Sequence, residues 1–120
     1  ALRAALPGEP RWLRQVHGIV AVDADREANT GVADAAFARR PGTVCVVMTA
    51  DCLPVLLCDR RGSVVAAAHA GWRGLLGGVL ESAVAAMASM TPRAANCWKR
   101  AFILGSLLQR REMGQGLCPH

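Results

Sequence analysis

Thr49-Ala-Asp-Cys-Leu-Pro-Val-Leu-Leu-Cys58 and, after the turn Asp59-Arg-Arg-Gly62, Val64-Val-Ala-Ala-Ala-His-Ala-Gly-Trp-Arg-Gly-Leu75 are apolar runs that each carry a reactive side chain at one end. Cys52 opens the first and His69 closes the second. Antiparallel strands joined by such a turn pair the residues equidistant from it, so the spacing predicts a hairpin with Cys52 and His69 at the same open end. A thiol and an imidazole brought together there suit a metal site, or a nucleophile and its base. A buried small thiol beside a hydrogen-bonded core histidine is the plainer alternative.

Working outward, Thr43-Val-Cys-Val-Val-Met48 is a β-branched run of the kind expected for a strand covered on both faces. Pro54 has no N–H for a ladder, which puts its strand at a sheet edge or a bulge. Beyond the hairpin, Leu75, Leu76, Val79, Leu80, Ala83, Val84, Met87 and Ala88 recur at three and four, predicting one amphipathic helix that ends at Thr91-Pro92. Gly77-Gly78 weakens its start and permits close backbone packing. Upstream, Arg11-Trp-Leu-Arg-Gln-Val-His17 reads as a short strand, Ile19 to Val22 as its continuation past a bend, and Asp23 to Gly31 as a loop. Val32 to Phe37 reads as a strand or the first turn of a helix. Cys45 and Cys58 lie inside apolar runs and are expected in the core.

The chain has 120 residues, one domain by length, and opens on Ala1-Leu-Arg-Ala-Ala-Leu6, which reads as the tail of a helix whose start is missing. The longest apolar stretches are interrupted by Asp51, Pro54 and Glu81, so no membrane span or signal peptide is expected. Five cysteines without a paired pattern or a CxxC point to a reduced, cytoplasmic protein. The net charge of +5 is unevenly placed: residues 1–92 carry nine Arg against eight acidic residues, and residues 93–120 five basic residues against one acidic. The body therefore lacks the clustered cations of a nucleic-acid face.

Two of the three histidines, His17 and His69, sit beside glycines at predicted strand ends. With Cys52 they make a His-Cys-His set spread along the chain, unlike the close ligand pairs of a zinc finger. Three protein ligands with one position left open is the pattern of a catalytic zinc. Gly71-Trp-Arg-Gly74 leads into the helix, where free N–H groups beside Arg73 offer an anion site, or simply a tight turn with a solvated arginine. Asp51 could orient a ligand histidine, although capping a turn is its commoner use, and Asp34 is equally open. Cys97, Cys118 and His120 read as tail residues without partners.

Gln15-Val-His-Gly18, Ala33-Asp34, Thr49 to Leu56 and Ala67-Ala-His-Ala-Gly-Trp-Arg-Gly74, in this order, resemble the hallmark segments of the YfiH family. That family is also called the multicopper polyphenol oxidase or laccase-domain family and is assigned as purine nucleoside phosphorylases. The resemblance covers about residues 1–92. It implies an α+β fold with a mixed, layered β-sheet and flanking helices, and a cytoplasmic enzyme in which His17, Cys52 and His69 are the zinc-binding and catalytic residues. It further implies phosphorolysis of adenosine, inosine, guanosine and methylthioadenosine, with adenosine deamination besides. Family members are about twice as long, so residues 1–92 correspond to an N-terminal part of the domain. After Pro92 the family's Gly-Pro-x-Ile-Gly strand is missing, and residues 93–120 read as an atypical tail, frameshifted or truncated.

Other functions use the same residues. A single copper could sit at a Cys-His pair and support polyphenol oxidation, although three histidines are few for a multicopper site. A metal-free hydrolase would take Cys52 as nucleophile and His69 as base. A non-enzymatic fragment or basic nucleic-acid-binding module would rest on the tail, where the family pattern has vanished.

Overall fold

The computed structural model describes residues 2–26, 31–90 and 102–105. After a short 3-10 turn at Leu2–Ala5 come strands β1 (Pro10–Arg11), β2 (Ala21–Asp23), β3 (Ala35–Ala38), β4 (Val44–Val47), β5 (Leu53–Cys58) and β6 (Val65–Ala70). Helices α1 (Trp72–Gly77) and α2 (Val79–Ala88) follow, and then strand β7 (Phe102–Gly105). The strands form two sheets, one ordered β1-β4-β7 with parallel pairs, the other ordered β2-β3-β6-β5. The second sheet is mixed: β2 runs parallel to β3, whereas β3, β6 and β5 are antiparallel neighbours. This is the expected α+β architecture.

Alternation along β3 and β6 builds the layers. Ala36, Ala38, Val65 and Ala67 face the other sheet and pack on Cys45 and Val47 of β4. Ala35, Ala68 and Ala70 face the opposite way, onto Val79 and Ala83 of α2, with Phe37, Val64, Ala66 and Met87 alongside. Every residue of β3, β4 and β6 is buried. This agrees with the run from Val44 to Val47, whose fully buried valines each stabilise the fold by about 1.5–3 kcal/mol. The many alanines let the layers approach closely.

The hairpin forms with Cys52 and His69 at its open end as expected, but its register is shifted by two residues from equidistance, with Leu53 opposite Ala70, Pro54 opposite His69 and Cys58 opposite Val65. Its turn is held by Asp59, whose carboxylate accepts the N–H groups of Ser63 and Val64 at 2.6 and 3.1 Å and the Ser63 hydroxyl. Among the described strands β5 lies at the edge of its sheet, one of the two placements expected from Pro54. That edge corrects one expectation: Cys58 is exposed, while Cys45 is fully buried as expected.

Two further expectations change. The helix begins at Trp72 and breaks at Gly78, whose φ of 102° and ψ of 35° are left-handed and whose N–H caps the Gly74 carbonyl at 2.9 Å. Only glycine takes this conformation cheaply, so the Gly77-Gly78 pair divides the helix into two. Close packing does occur at Gly77, where a Cβ would lie 2.8 Å from Ile19 Cγ2. The predicted strand over Arg11 to His17 shrinks to Pro10–Arg11 and one bridge between Arg14 and Val32. The amides of residues 16–18 are drawn to a side chain instead of a ladder.

Candidate metal centre

His69 is the next-to-last residue of β6 and shares a sheet face with Val65 and Ala67. The β3–β6 register pairs Ala35 with Ala68, so Asp34 is the next residue across from His69. The two are joined twice: the His69 N–H donates to the Asp34 carbonyl at 2.7 Å, and His69 Nδ1 lies 2.8 Å from Asp34 Oδ2. Asp34 is 0% exposed and His69 4%.

His17 arrives on the turn that follows the Arg14 bridge. Its φ is 58°, left-handed and uncommon for a residue with a Cβ. The N–H groups of Val16, His17 and Gly18 converge on the Asp34 carboxylate at 3.0, 2.9 and 2.9 Å. Burial opposes ionisation of Asp34, but the hydrogen bonds from His69, Val16, Gly18 and His17 outweigh it and hold its carboxyl below the ordinary carboxylate range. Gln15 makes a second tie, its amide donating to the Met48 carbonyl and accepting the Met48 N–H, both at 2.7 Å. Met48 lies just after β4, so this pair fastens the His17 turn to the segment leading to Cys52.

Cys52, 8% exposed, stands immediately before β5. Its Sγ lies 3.8 Å from His17 Nε2, and the rings of His17 and His69 meet edge to face with centroids 4.8 Å apart. Ligand atoms of His17, Cys52 and His69 all lie within 4.8 Å of one another. Around a tetrahedral ion with bonds of about 2.0–2.3 Å, ligand atoms are separated by about 3.3–3.8 Å. The Cys52–His17 distance already meets that range, and an N, N, S donor set suits zinc or copper. The backbone closes over the cluster at Gly71, where a Cβ would lie 3.0 Å from Cys52 Sγ and 3.2 Å from His17 Cδ2.

His17, Cys52 and His69, grouped in the sequence by residue type and by the family resemblance, thus lie together in the structure. Arg73 is placed differently, exposed in the first turn of α1 with its guanidinium 5.4 Å from the Trp72 ring centre, a cation–π contact. Asp51 is exposed. Asp34 is the carboxylate on a histidine, a role that sequence reasoning left open between the two. Only the β3–β6 register reveals it. Cys97, Cys118 and His120 lie outside the described residues, and among those described no helix is long and apolar enough to cross a membrane.

A layered α+β domain whose strand ends and turns bring two histidines and a cysteine to one point defines a class of candidate metalloproteins. The sequence is more particular. Residues 1–106 match the family model described as multi-copper polyphenol oxidoreductase laccase, and the chain belongs to that family. The match runs past Pro92 and takes in β7. Purine nucleoside phosphorylase YfiH of Escherichia coli is 56% identical over 85 residues, covering 69% of this chain and 35% of the relative. A purine nucleoside phosphorylase of Pseudomonas aeruginosa is 55% identical over 83 residues, covering 69% and 34%. The crystal structure of a Neisseria meningitidis protein of the DUF152 family superposes with a TM-score of 0.62 at 52% identity, over 72% of this chain and 35% of that one. The chain therefore spans about a third of the length of these relatives.

Proposed function

We propose that this chain is the metal-holding part of a zinc-dependent, cytoplasmic purine nucleoside phosphorylase acting on adenosine, inosine, guanosine and methylthioadenosine, with adenosine deamination as a second activity. The observation that carries it is the convergence of His17, Cys52 and His69 in a chain so similar to proteins bearing that name. His17 and His69 would hold the ion through nitrogen and Cys52 through its thiolate, leaving one position open. Bound zinc would supply a Lewis acid there.

The rest falls to the protein's own groups. Phosphorolysis breaks the bond from C1′ to the base and forms one from C1′ to a phosphate oxygen, releasing free base and ribose 1-phosphate. The phosphate must be held against the sugar while the base departs, a task for preorganised positive charge. Arg73 is assigned to it: the residue is exposed and stands two positions beyond Gly71, whose backbone lies against the cluster. Residues 93–120 are assigned no part in this chemistry.

The test uses this segment completed to the length of its relatives, reduced and loaded with zinc. Phosphate-dependent release of purine base and ribose 1-phosphate from inosine or adenosine is expected, and Cys52→Ala should abolish it. Absence of nucleoside cleavage, together with Cys52-dependent oxidation of phenols by a copper-loaded form, would overturn the reading in favour of a copper polyphenol oxidase.

A further inference from the structure

We infer that Asp34 is the positioning residue of the metal centre: one buried carboxylate selects the ring tautomer of His69 and holds the left-handed turn that presents His17. The inference rests on the metal reading and adds a residue to it.

The hydrogen-bond inventory of the carboxylate carries the argument. Oδ1 accepts from the Val16 and Gly18 N–H groups, and Oδ2 faces the His17 N–H and His69 Nδ1. A carboxylate offers about four acceptor sites and no proton to give, so all of its capacity is engaged. Three of the four partners are backbone amides, which can only donate. The fourth, His69 Nδ1, must then carry its ring proton toward Oδ2. That leaves the lone pair on Nε2, the nitrogen free to bind an ion. The same oxygen that fixes His69 also takes the amide of His17 itself, so the two histidines share an anchor.

The arrangement also explains how His17 keeps a φ of 58°. Successive N–H groups pointing into one concavity form a nest for negative charge, and a left-handed residue inside the run is what curls them inward. Asp34 occupies that concavity from below, with no exposed surface. Water therefore cannot replace its oxygens cheaply.

Asparagine at this position makes a sharp probe, because it replaces one acceptor oxygen by an NH2 group of nearly equal size. With the NH2 on the Oδ1 side, it opposes two backbone donors, Val16 and Gly18. On the Oδ2 side it opposes only the His17 amide and can donate to His69 Nδ1. The second orientation has fewer conflicts, and it drives the His69 proton to Nε2, where it blocks the ion.

The experiment measures the His69 tautomer in the reduced, metal-free 120-residue chain by 15N NMR at mildly alkaline pH, then zinc affinity by competition with a chromophoric chelator. In the unmodified chain Nδ1 should carry the proton. In Asp34→Asn it should move to Nε2, and zinc binding should weaken by about 10- to 100-fold. A folded Asp34→Asn with unchanged tautomer and affinity overturns the inference. If that variant does not fold, the unmodified chain still decides: a proton on Nε2 of its His69 would overturn the inference alone. Failure of the unmodified chain to bind zinc, with the proton on Nδ1, would instead count against the metal reading while leaving the tautomer assignment standing.

Discussion

Gly71→Ala tests how closely the backbone fits the cluster. Gly71 has a φ of −74° and a ψ of 170°, which alanine adopts without strain, so any effect comes from the added methyl group. That carbon would stand 3.0 Å from Cys52 Sγ and 3.2 Å from His17 Cδ2. Ordinary heavy-atom contacts lie at about 3.5–4.0 Å, so each neighbour would retreat by about a few tenths of an ångström. Metal sites hold their ligand distances within about 0.2 Å, and both displaced groups are ligands of the proposed centre. Overpacking of this kind costs about 1–3 kcal/mol. Assigned wholly to the metal-bound state, that corresponds to about 5- to 150-fold weaker zinc binding. The assay is chelator competition on reduced protein, paired with thermal unfolding with and without zinc. Affinity should fall far more than the melting temperature of the metal-free chain. Unchanged zinc affinity in a folded Gly71→Ala would refute the reasoning, since with the backbone in place the methyl group is seated only by moving Cys52 and His17.

Two other outcomes follow from the geometry. Arg73→Ala in the completed enzyme should raise the KM for phosphate by tenfold or more, about 1.4 kcal/mol, with little change in that for inosine; steady-state kinetics with each substrate varied checks it, and an effect confined to inosine would remove Arg73 from the phosphate site. Burial opposes ionisation of Asp59, yet bonds from Ser63 and Val64 hold its carboxyl below the ordinary range. A lowered folded value means that the carboxylate's contribution is complete above the unfolded value of about 4 and is lost as pH falls through the folded one. Hydrogen-exchange protection of the Ser63 and Val64 amides should therefore decline only on that acid side. Protection that declines between neutrality and pH 5 would contradict the assignment.

How much the sequence disclosed depended on the range of each interaction. The hairpin was legible because its turn is local: once Asp59 to Gly62 reverses the chain, Cys52 and His69 fall at the same open end, although the ladder that forms sets Pro54 rather than Cys52 opposite His69. Arg11 to His17 has a strand-like pattern, but the competing partner of its last amides is a side chain more than a dozen residues away. Gly77-Gly78 carried a visible warning in the helix, although not which glycine would turn left-handed. Cys58 follows the apolar pattern of its run, and its exposure depends on β5 having no neighbour on one side among the described residues. Asp34 was hardest to place, because its meaning rests on the antiparallel register of β3 and β6, which no local signal announces.

That register has a consequence for the order of events during folding. In a zinc finger the ligands lie close together in sequence, and the ion itself organises the peptide. Here His17 and His69 are tied to one carboxylate through chain segments that meet only when β3 and β6 have paired. Closing such loops has an entropic cost that the strand ladder and the alanine-lined layers must offset before any socket exists. An ion would thus enter a receptacle already shaped by the sheet. Chelation should then empty the site and leave the β-sheet circular dichroism in place, making the metal a late passenger of this architecture rather than its founder.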